Sequence, residues 1–198
     1  TVISIVFHNV ITKSASDIFL AALERSKIYP AIEYANLIKA FIPAVSDNFL
    51  NDNLVSILFS MLKMNDSFQH FCGYIFSFLP FERISSPTSQ LTPNTFTQFY
   101  SSNIVATNYL PEIARQASKS PLFGEQWLNQ TLPQQLMTMA NIQENIRPAA
   151  TRAVLNKNLL SSYTDENKSV SMFVLNAFSW ASSNSDICLS LLESANFL

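Results

Sequence analysis

Glycine and charged residues are scarce in this chain, and each shortage argues against a class of function. Only 2 of the 198 residues are glycine, so glycine-rich phosphate loops and the nucleotide folds built on them are not expected. Charged residues make up 13% of the chain and the formal net charge is −2. A protein of this charge has no electrostatic attraction to nucleic acid or to an anionic membrane surface, so we expect neither as a partner.

Cysteine and histidine are equally rare, with two of each: Cys72 and Cys188, His8 and His70. Both cysteines fall in apolar helical segments, so we predict buried free thiols in a reducing compartment, cytoplasmic or nuclear. His70 and Cys72 come closest to each other, but residues two apart on a helix point in different directions. We interpret His70 as a core or groove-edge histidine, and we predict no catalytic residue, no metal site, no cofactor and no enzyme activity.

What the chain does contain is apolar side chains, which make up 48% of it and include 16 phenylalanines. That content is enough to form a sizeable core and argues against disorder. No run reaches the roughly 18 apolar residues of a membrane span, since the nearest candidate, Leu54 to Leu62, ends at Lys63. The chain begins without Met and inside an apolar run, so we interpret it as a piece of a longer protein.

Capping residues and prolines at short intervals predict a chain made only of helices. Predicted helix starts are Ser14 with Asp17, Pro30, Asp52, Asp66, Pro121, Pro133 with Thr131 as cap, Pro148, Asp165 with Glu166, and Ser185 with Asp186. Pro80 is expected to end a helix and Pro111 to break one. Strand signals are nearly absent, so the fold class is all-α, with roughly nine to eleven helices. The longest non-periodic segment, 81–93, is predicted to be a linker or a long loop.

Two segments of the chain repeat each other. Phe59-Ser-Met-Leu-Lys-Met-Asn65-Asp66 matches Phe178-Ser-Trp-Ala-Ser-Ser-Asn184-Ser185, because both are apolar helix ends that run through Asn into a new helix. Their separation is close to three periods of about 40 residues. A weaker third copy begins at Phe19, again about 40 residues upstream.

The C-terminal run, residues 177–198, resembles the armadillo junction, in which a long helix ends at Asn and a short helix leads to Glu-x-Gly-x-Ile. Glu193 is kept here, whereas Ala195 stands for the glycine and Phe197 for the isoleucine. The resemblance to armadillo and HEAT repeats implies a right-handed α-solenoid of roughly four to five repeats. It would form a single domain over residues 1–198, with a possible internal boundary at 81–93.

The same resemblance bears on function. Nuclear-import adaptors of the armadillo family bind basic peptides with a Trp and an Asn four residues later. Those positions are Leu175 and Ser179 here, and Trp180 falls on a core leucine position, so that function is not expected. Arg147 and Arg152, near Lys157, are interpreted as a solvated helix face rather than a nucleic-acid site.

We therefore expect a non-catalytic scaffold or protein-interaction module. Its partner, a peptide, helix or domain, would lie along a groove lined by the last helix of each repeat. Two alternatives remain: a small-GTPase-binding region similar to the armadillo segment of formins, and a supporting helical domain of a larger enzyme. The sequence assigns no individual partner-binding residue.

Overall fold

Helix is the only regular secondary structure in the ranges that the computed structural model describes, residues 15–85, 90–156 and 168–195. The all-α prediction is therefore confirmed for these ranges. The α-helices are α1 15–26, α2 Ile32–Phe41, α3 Asp47–Phe49, α4 Val55–Met61, α5 Asp66–Phe78, α6 Thr97–Ser101, α7 Asn103–Asn108, α8 Leu110–Ala117, α9 Leu132–Ile142, α10 Arg147–Val154, α11 Lys168–Ala181 and α12 Ser185–Ala195. Two π turns, Leu50–Leu54 and Trp127–Thr131, lead directly into α4 and α9.

At two predicted helix starts, the residue predicted to cap the helix is wrong. Asn65, and not Asp66, caps α5, because its Oδ1 accepts hydrogen bonds from the backbone N–H groups of Ser67 and Phe68 at 3.1 and 3.4 Å. The helix start predicted at position 52 is wrong, since this position lies inside the π turn that joins α3 to α4. This longer helical segment begins instead after Ser46, whose Oγ accepts from the backbone N–H of residue 49 at 3.4 Å.

Prolines mark helix boundaries more reliably than the predicted capping residues do. Pro133 and Pro148 lie in the first turns of α9 and α10, as predicted. Pro111 lies in the first turn of α8, just after the break that separates α8 from α7. Pro121 was expected to open a helix but lies in a turn. Thr131 was expected to cap α9, but it belongs to the preceding π turn and makes no cap hydrogen bond. The starts at Ser14 and at Asp165 with Glu166 lie outside the described residues.

The helices form two rows. The second row contains α2, α5, α7 with α8, α10 and α12, and each member contacts the next. The first row contains α1, α3 with α4, α6, α9 and α11. In that row, Phe19 contacts Phe49, Phe59 contacts Phe99, and α9 contacts α11. We name the helix pairs in chain order: first (α1, α2), second (α3–α4, α5), third (α6, α7–α8), fourth (α9, α10) and fifth (α11, α12).

Aromatic rings fill the core between the rows. Phe99 of the third pair lies 5.5 Å from Phe59 and 4.8 Å from Phe76, centroid to centroid, so it joins two helices of the second pair. Phe96 continues the contact to Trp127 of the fourth pair at 4.8 Å. Edge-to-face packing of this kind adds about 0.5–1.5 kcal/mol per pair beyond the burial of area.

The described residues of segment 81–93, which are 81–85 and 90–93, contribute to this core, and Phe81–Arg83 form a short 3₁₀ helix. Phe81, Ile84 and Leu91 are fully buried in the same apolar cluster as the helices. Arg83 also ties the segment back to the turn between α2 and α3. Its guanidinium donates to the backbone carbonyls of Ile42 and Val45 at 3.0 and 2.5 Å and pairs with Asp47 at 2.7 Å.

Arg83→Ala is expected to lower the free energy of unfolding by about 1–3 kcal/mol, because both carbonyls lose a charged donor. Asp47→Ala serves as the control, with an expected loss of about 0–1 kcal/mol, since that carboxylate is 62% exposed. Denaturant titration measures both. Equal losses in the two variants would mean that the ion pair, and not the carbonyl contacts, holds the segment.

Gly73 marks a close approach between the second and third pairs. A Cβ at this position would lie 2.4 Å from Cδ2 of the Tyr109 ring, which is closer than atoms can pack. Gly73→Ala is therefore expected to cost about 1–3 kcal/mol despite the better helix propensity of alanine. Gly124→Ala is the matched control, since no atom lies within 4 Å of its Cβ position.

The cost should disappear in a Tyr109→Ala background, where the ring is missing. Thermal or denaturant unfolding of the four variants measures this coupling. A Gly73→Ala protein as stable as wild type would contradict the close contact.

Candidate partner-binding site

Cys72 and His70, both on α5, have different surroundings. The Sγ of Cys72 donates to the backbone carbonyl of Leu58 at 3.4 Å, and burial raises the pKa of this thiol well above its usual range. His70 is exposed on α5, where its Nδ1 lies 3.3 Å from the hydroxyl of Tyr109. His70 and Cys72 thus have different partners, as the helix geometry predicts. Within the described ranges, no three His, Cys, Asp or Glu side chains are placed to hold a metal ion.

Cys188 corrects one expectation. It was predicted to be a buried thiol, and it is exposed on α12. The apolar run around it led to the wrong prediction, because the side of α12 that carries Cys188 and Leu189 faces away from the neighbouring helices. Cys72, by contrast, is fully buried as predicted.

The tryptophans and the basic residues near 147 have structural roles. Trp127 and Trp180 are both buried, as predicted for Trp180. Arg147 is not a free surface cation, since its Nε donates to the carbonyl of Ala140 at 3.0 Å and its guanidinium lies 5.4 Å from the centroid of the Trp180 ring. Arg152 is exposed, and residue 157 lies outside the described ranges.

Polar side chains on the second row, where the groove was expected, join neighbouring helix pairs. The hydroxyl of Tyr74 donates to Oδ1 of Asn36 at 3.1 Å, and the amide of Gln116 donates to the carbonyl of Ser77 at 3.2 Å. Further along, Asn145 donates to Asn103. These groups hold one pair to the next.

An open cleft lies instead on the first row, between α6 and α9. Its volume is about 400 Å³, and it is lined by Thr97, Tyr100, Ser101, Gln134, Gln135, Thr138 and Met139. The cleft forms because α6 has only 5 residues whereas α9 has 11, so the shorter helix covers only part of the longer one.

Neutral hydrogen-bonding groups line this cleft. The hydroxyl of Tyr100 donates to Oε1 of Gln135 at 3.1 Å and thereby links α6 to α9. Burial raises the pKa of Tyr100, so this hydroxyl stays protonated. The amide of Gln134 donates to Ser169 of α11 at 3.0 Å, which fixes its side chain at the cleft edge. Both glutamine amides also carry further donor and acceptor positions. The hydroxyls of Thr97, Ser101 and Thr138 donate to backbone carbonyls three or four residues before them and add acceptor positions only.

No sequence pattern assigns these residues to a site, because the resemblance implies a groove along the last helix of each repeat and names no contact residue. A local signal did exist, since Gln134 and Gln135 follow Pro133 in a first helical turn and are spaced for one helix face with Thr138. Only the juxtaposition with α6 shows that this polar face borders a cleft.

Comparison with protein-family models, curated protein sequences and solved structures finds no match to this chain.

Within the part of the chain that the structure describes, none of the helices has the length and apolar character needed to cross a bilayer.

The buried thiol allows a test of the core. In a Cys188→Ser variant, Cys72 is the sole thiol of the chain. It is expected to stay unreactive toward a thiol reagent at pH 8 until denaturant unfolds the protein, because burial keeps it protonated and inaccessible. Absorbance of the released chromophore measures the reaction. Rapid modification of the native variant would contradict the burial of Cys72.

Proposed function

We propose that this chain is a non-catalytic protein-interaction module that holds an extended, uncharged segment of a partner protein in the cleft between α6 and α9. The module itself would be a right-handed α-solenoid of armadillo or HEAT type, with one repeat for each of the helix pairs. The proposal rests on the spacing of contacts along the chain and on the chemistry of the cleft.

The spacing of contacts supports the solenoid. Side-chain hydrogen bonds between neighbouring pairs join residues 33 to 42 positions apart, from Ser102 with Gln69 to Asn145 with Asn103. Bonds within this range recur at every junction from the first pair to the fifth, such as Tyr74 with Asn36 at 38 and Asn176 with Met137 at 39 positions. Offsets confined to this range are typical of stacked repeats, in which each unit contacts only its neighbours.

The chemistry of the cleft indicates which kind of partner segment it can bind. An extended backbone offers alternating N–H and C=O groups, and glutamine, serine and threonine side chains can both donate and accept. Gln134 supplies both kinds of group, whereas Ser101 and Thr138 supply acceptor oxygens, because their protons are donated to the carbonyls of Thr97 and Gln134. The half-buried Met139 supplies apolar surface for a side chain of the partner. Because the lining residues are uncharged, a basic or acidic peptide gains nothing here over a neutral one.

A folded partner such as a small GTPase is favoured less. It would need a wide contact area, of about 800 Å² on each partner, whereas the cleft is narrow and lies between two helices. An extended segment matches these dimensions better.

Peptide display tests the proposal. Random peptides selected on the wild-type chain are expected to be neutral and to bind a Thr138→Arg variant at least about tenfold more weakly, a loss of about 1.4 kcal/mol. Thr138 is exposed on α9, and arginine is a good helix former, so this change fills the cleft without disturbing the helix.

Ala21→Arg is the matched control, because it places the same side chain at an exposed position of α1. Peptides that bind Thr138→Arg as well as they bind Ala21→Arg would place the site elsewhere. A selection that enriches no peptide would contradict the proposed function.

A further inference from the structure

The two walls of the cleft between α6 and α9 offer different hydrogen-bonding groups. On the α6 wall, Thr97 and Ser101 lie four residues apart and therefore share one helix face. The hydroxyl of Thr97 donates to the carbonyl of Asn94 at 2.9 Å, and that of Ser101 donates to the carbonyl of Thr97 at 3.2 Å. Each oxygen is left as an acceptor for a ligand, since a hydroxyl carries one proton and two lone pairs.

Tyr100 adds no donor to the α6 wall. Its hydroxyl proton is donated to Oε1 of Gln135 on α9 at 3.1 Å. The three hydroxyl groups with which α6 lines the cleft therefore all give their protons to groups of the protein itself. Turning one of these protons toward a ligand would break a hydrogen bond that the chain already makes, which offsets the bond that is gained.

The α9 wall supplies the donors. The bond from Tyr100 occupies Oε1 of Gln135 and thereby orients this amide, whose Nε2 carries two protons. Within the described ranges, no group of the chain accepts from this Nε2. Gln134 donates one Nε2 proton to Ser169 at 3.0 Å and keeps a second, and the hydroxyl of Thr138 adds an acceptor. A ligand in the cleft thus meets acceptors alone on α6 and amide donors on α9.

An extended backbone by itself does not match this asymmetry. Successive residues of a strand direct their N–H and C=O groups to alternate sides, so each wall would meet N–H and C=O groups alike. A carbonyl directed toward α6 would find no donor on the side chains of Thr97, Tyr100 or Ser101 and would pair with water instead. The α6 wall therefore favours a group that only donates in its direction.

A side-chain carboxamide has this property. Its nitrogen carries two N–H donors, and its oxygen is an acceptor on another side of the same planar group. A carboxylate has no donor for the α6 wall, and an ammonium or guanidinium group has no acceptor for the amides of α9. The neutral carboxamide is therefore the side-chain group that satisfies both walls.

The chain itself uses the same pairing on its surface. The amide of Gln90 donates to Oγ of Ser56 at 3.3 Å, and the amide of Gln134 donates to Oγ of Ser169 at 3.0 Å. In each case a glutamine N–H group meets a serine hydroxyl of a neighbouring element. The bond from carboxamide to hydroxyl is thus one by which parts of this fold already recognise each other.

We propose that the partner segment places the carboxamide of an asparagine or glutamine side chain in the cleft. Its N–H groups donate to the hydroxyl oxygens of the α6 wall, and its oxygen accepts from Nε2 of Gln135. This inference rests on the proposed function, because it names the side chain by which the extended segment is recognised. Ser101 and Gln135 then determine the specificity of the cleft.

Peptides selected on the wild-type chain test this inference. They are expected to share an asparagine or glutamine at one position. In a synthetic peptide, replacing that residue by leucine should raise the dissociation constant by about two- to tenfold, because the hydrogen bonds to both walls are lost. Replacing an asparagine by aspartate should weaken binding as well, since the carboxylate has no donor. Fluorescence anisotropy of labelled peptides measures each constant.

Ser101→Ala tests the α6 wall, because it removes one acceptor oxygen while alanine maintains the helix. It should weaken the carboxamide peptide by about two- to tenfold and leave the leucine derivative unchanged, a coupling that a purely structural role of Ser101 would not produce. Ser60→Ala is the matched control. Ser60 is likewise exposed and its hydroxyl donates to the carbonyl of Ile57 at 2.7 Å, but it lies on α4. It should change neither constant.

The outcomes separate this inference from the proposed function. Peptides that lose affinity for Thr138→Arg but share no asparagine or glutamine would overturn the inference and leave the proposed function standing. The same holds if Ser101→Ala affects both peptides equally or affects neither. A selection that enriches no peptide, or peptides indifferent to Thr138→Arg, would overturn the proposed function and this inference with it.

Discussion

The burial of each helix pair's apolar side by the next pair is the constraint on which the rest of this structure depends. Phe99 illustrates it, since one ring contacts both Phe59 of α4 and Phe76 of α5. Neither helix of the second pair can exclude water from those rings by itself, and the third pair does so. Because burial of apolar surface is the main favourable term in folding, pairs stacked in this way stabilise one another and few of them would persist alone.

Neutral hydrogen bonds then define how one pair sits on the next. Tyr74 with Asn36 and Tyr100 with Gln135 each join helices from successive pairs, and neither bond involves a charged group. Hydrogen bonds of this kind contribute modestly to stability, about 0.5–1.5 kcal/mol each, but they depend on geometry and so fix the register between helices. In the part of the chain that the structure describes, these two contacts between successive pairs need no charged side chain.

The cleft between α6 and α9 and the exposed sides of α11 and α12 both lie where no further described helix packs. The cleft exists because the short α6 leaves one side of α9 uncovered, and its lining is polar, as expected for groups that stay in contact with water. No described helix covers the outer sides of α11 and α12, which carry exposed apolar side chains. This difference in chemistry separates the polar cleft, which is suited to an extended segment, from an apolar helix surface.

Local chemistry by itself determined the helical class, most of the proline boundaries and the equivalence of Asn65 with Asn184, because helix periodicity, proline geometry and capping act over a few residues. It did not reveal the π turn at position 52, the exposure of Cys188 or the cleft beside Gln134. The exposure of Cys188 and the cleft depend on whether a neighbouring helix covers a given side, and a helix side looks the same in sequence whether it is covered or not. Only the tertiary structure, in which Phe59 is covered and its counterpart Phe178 is exposed, decides that question.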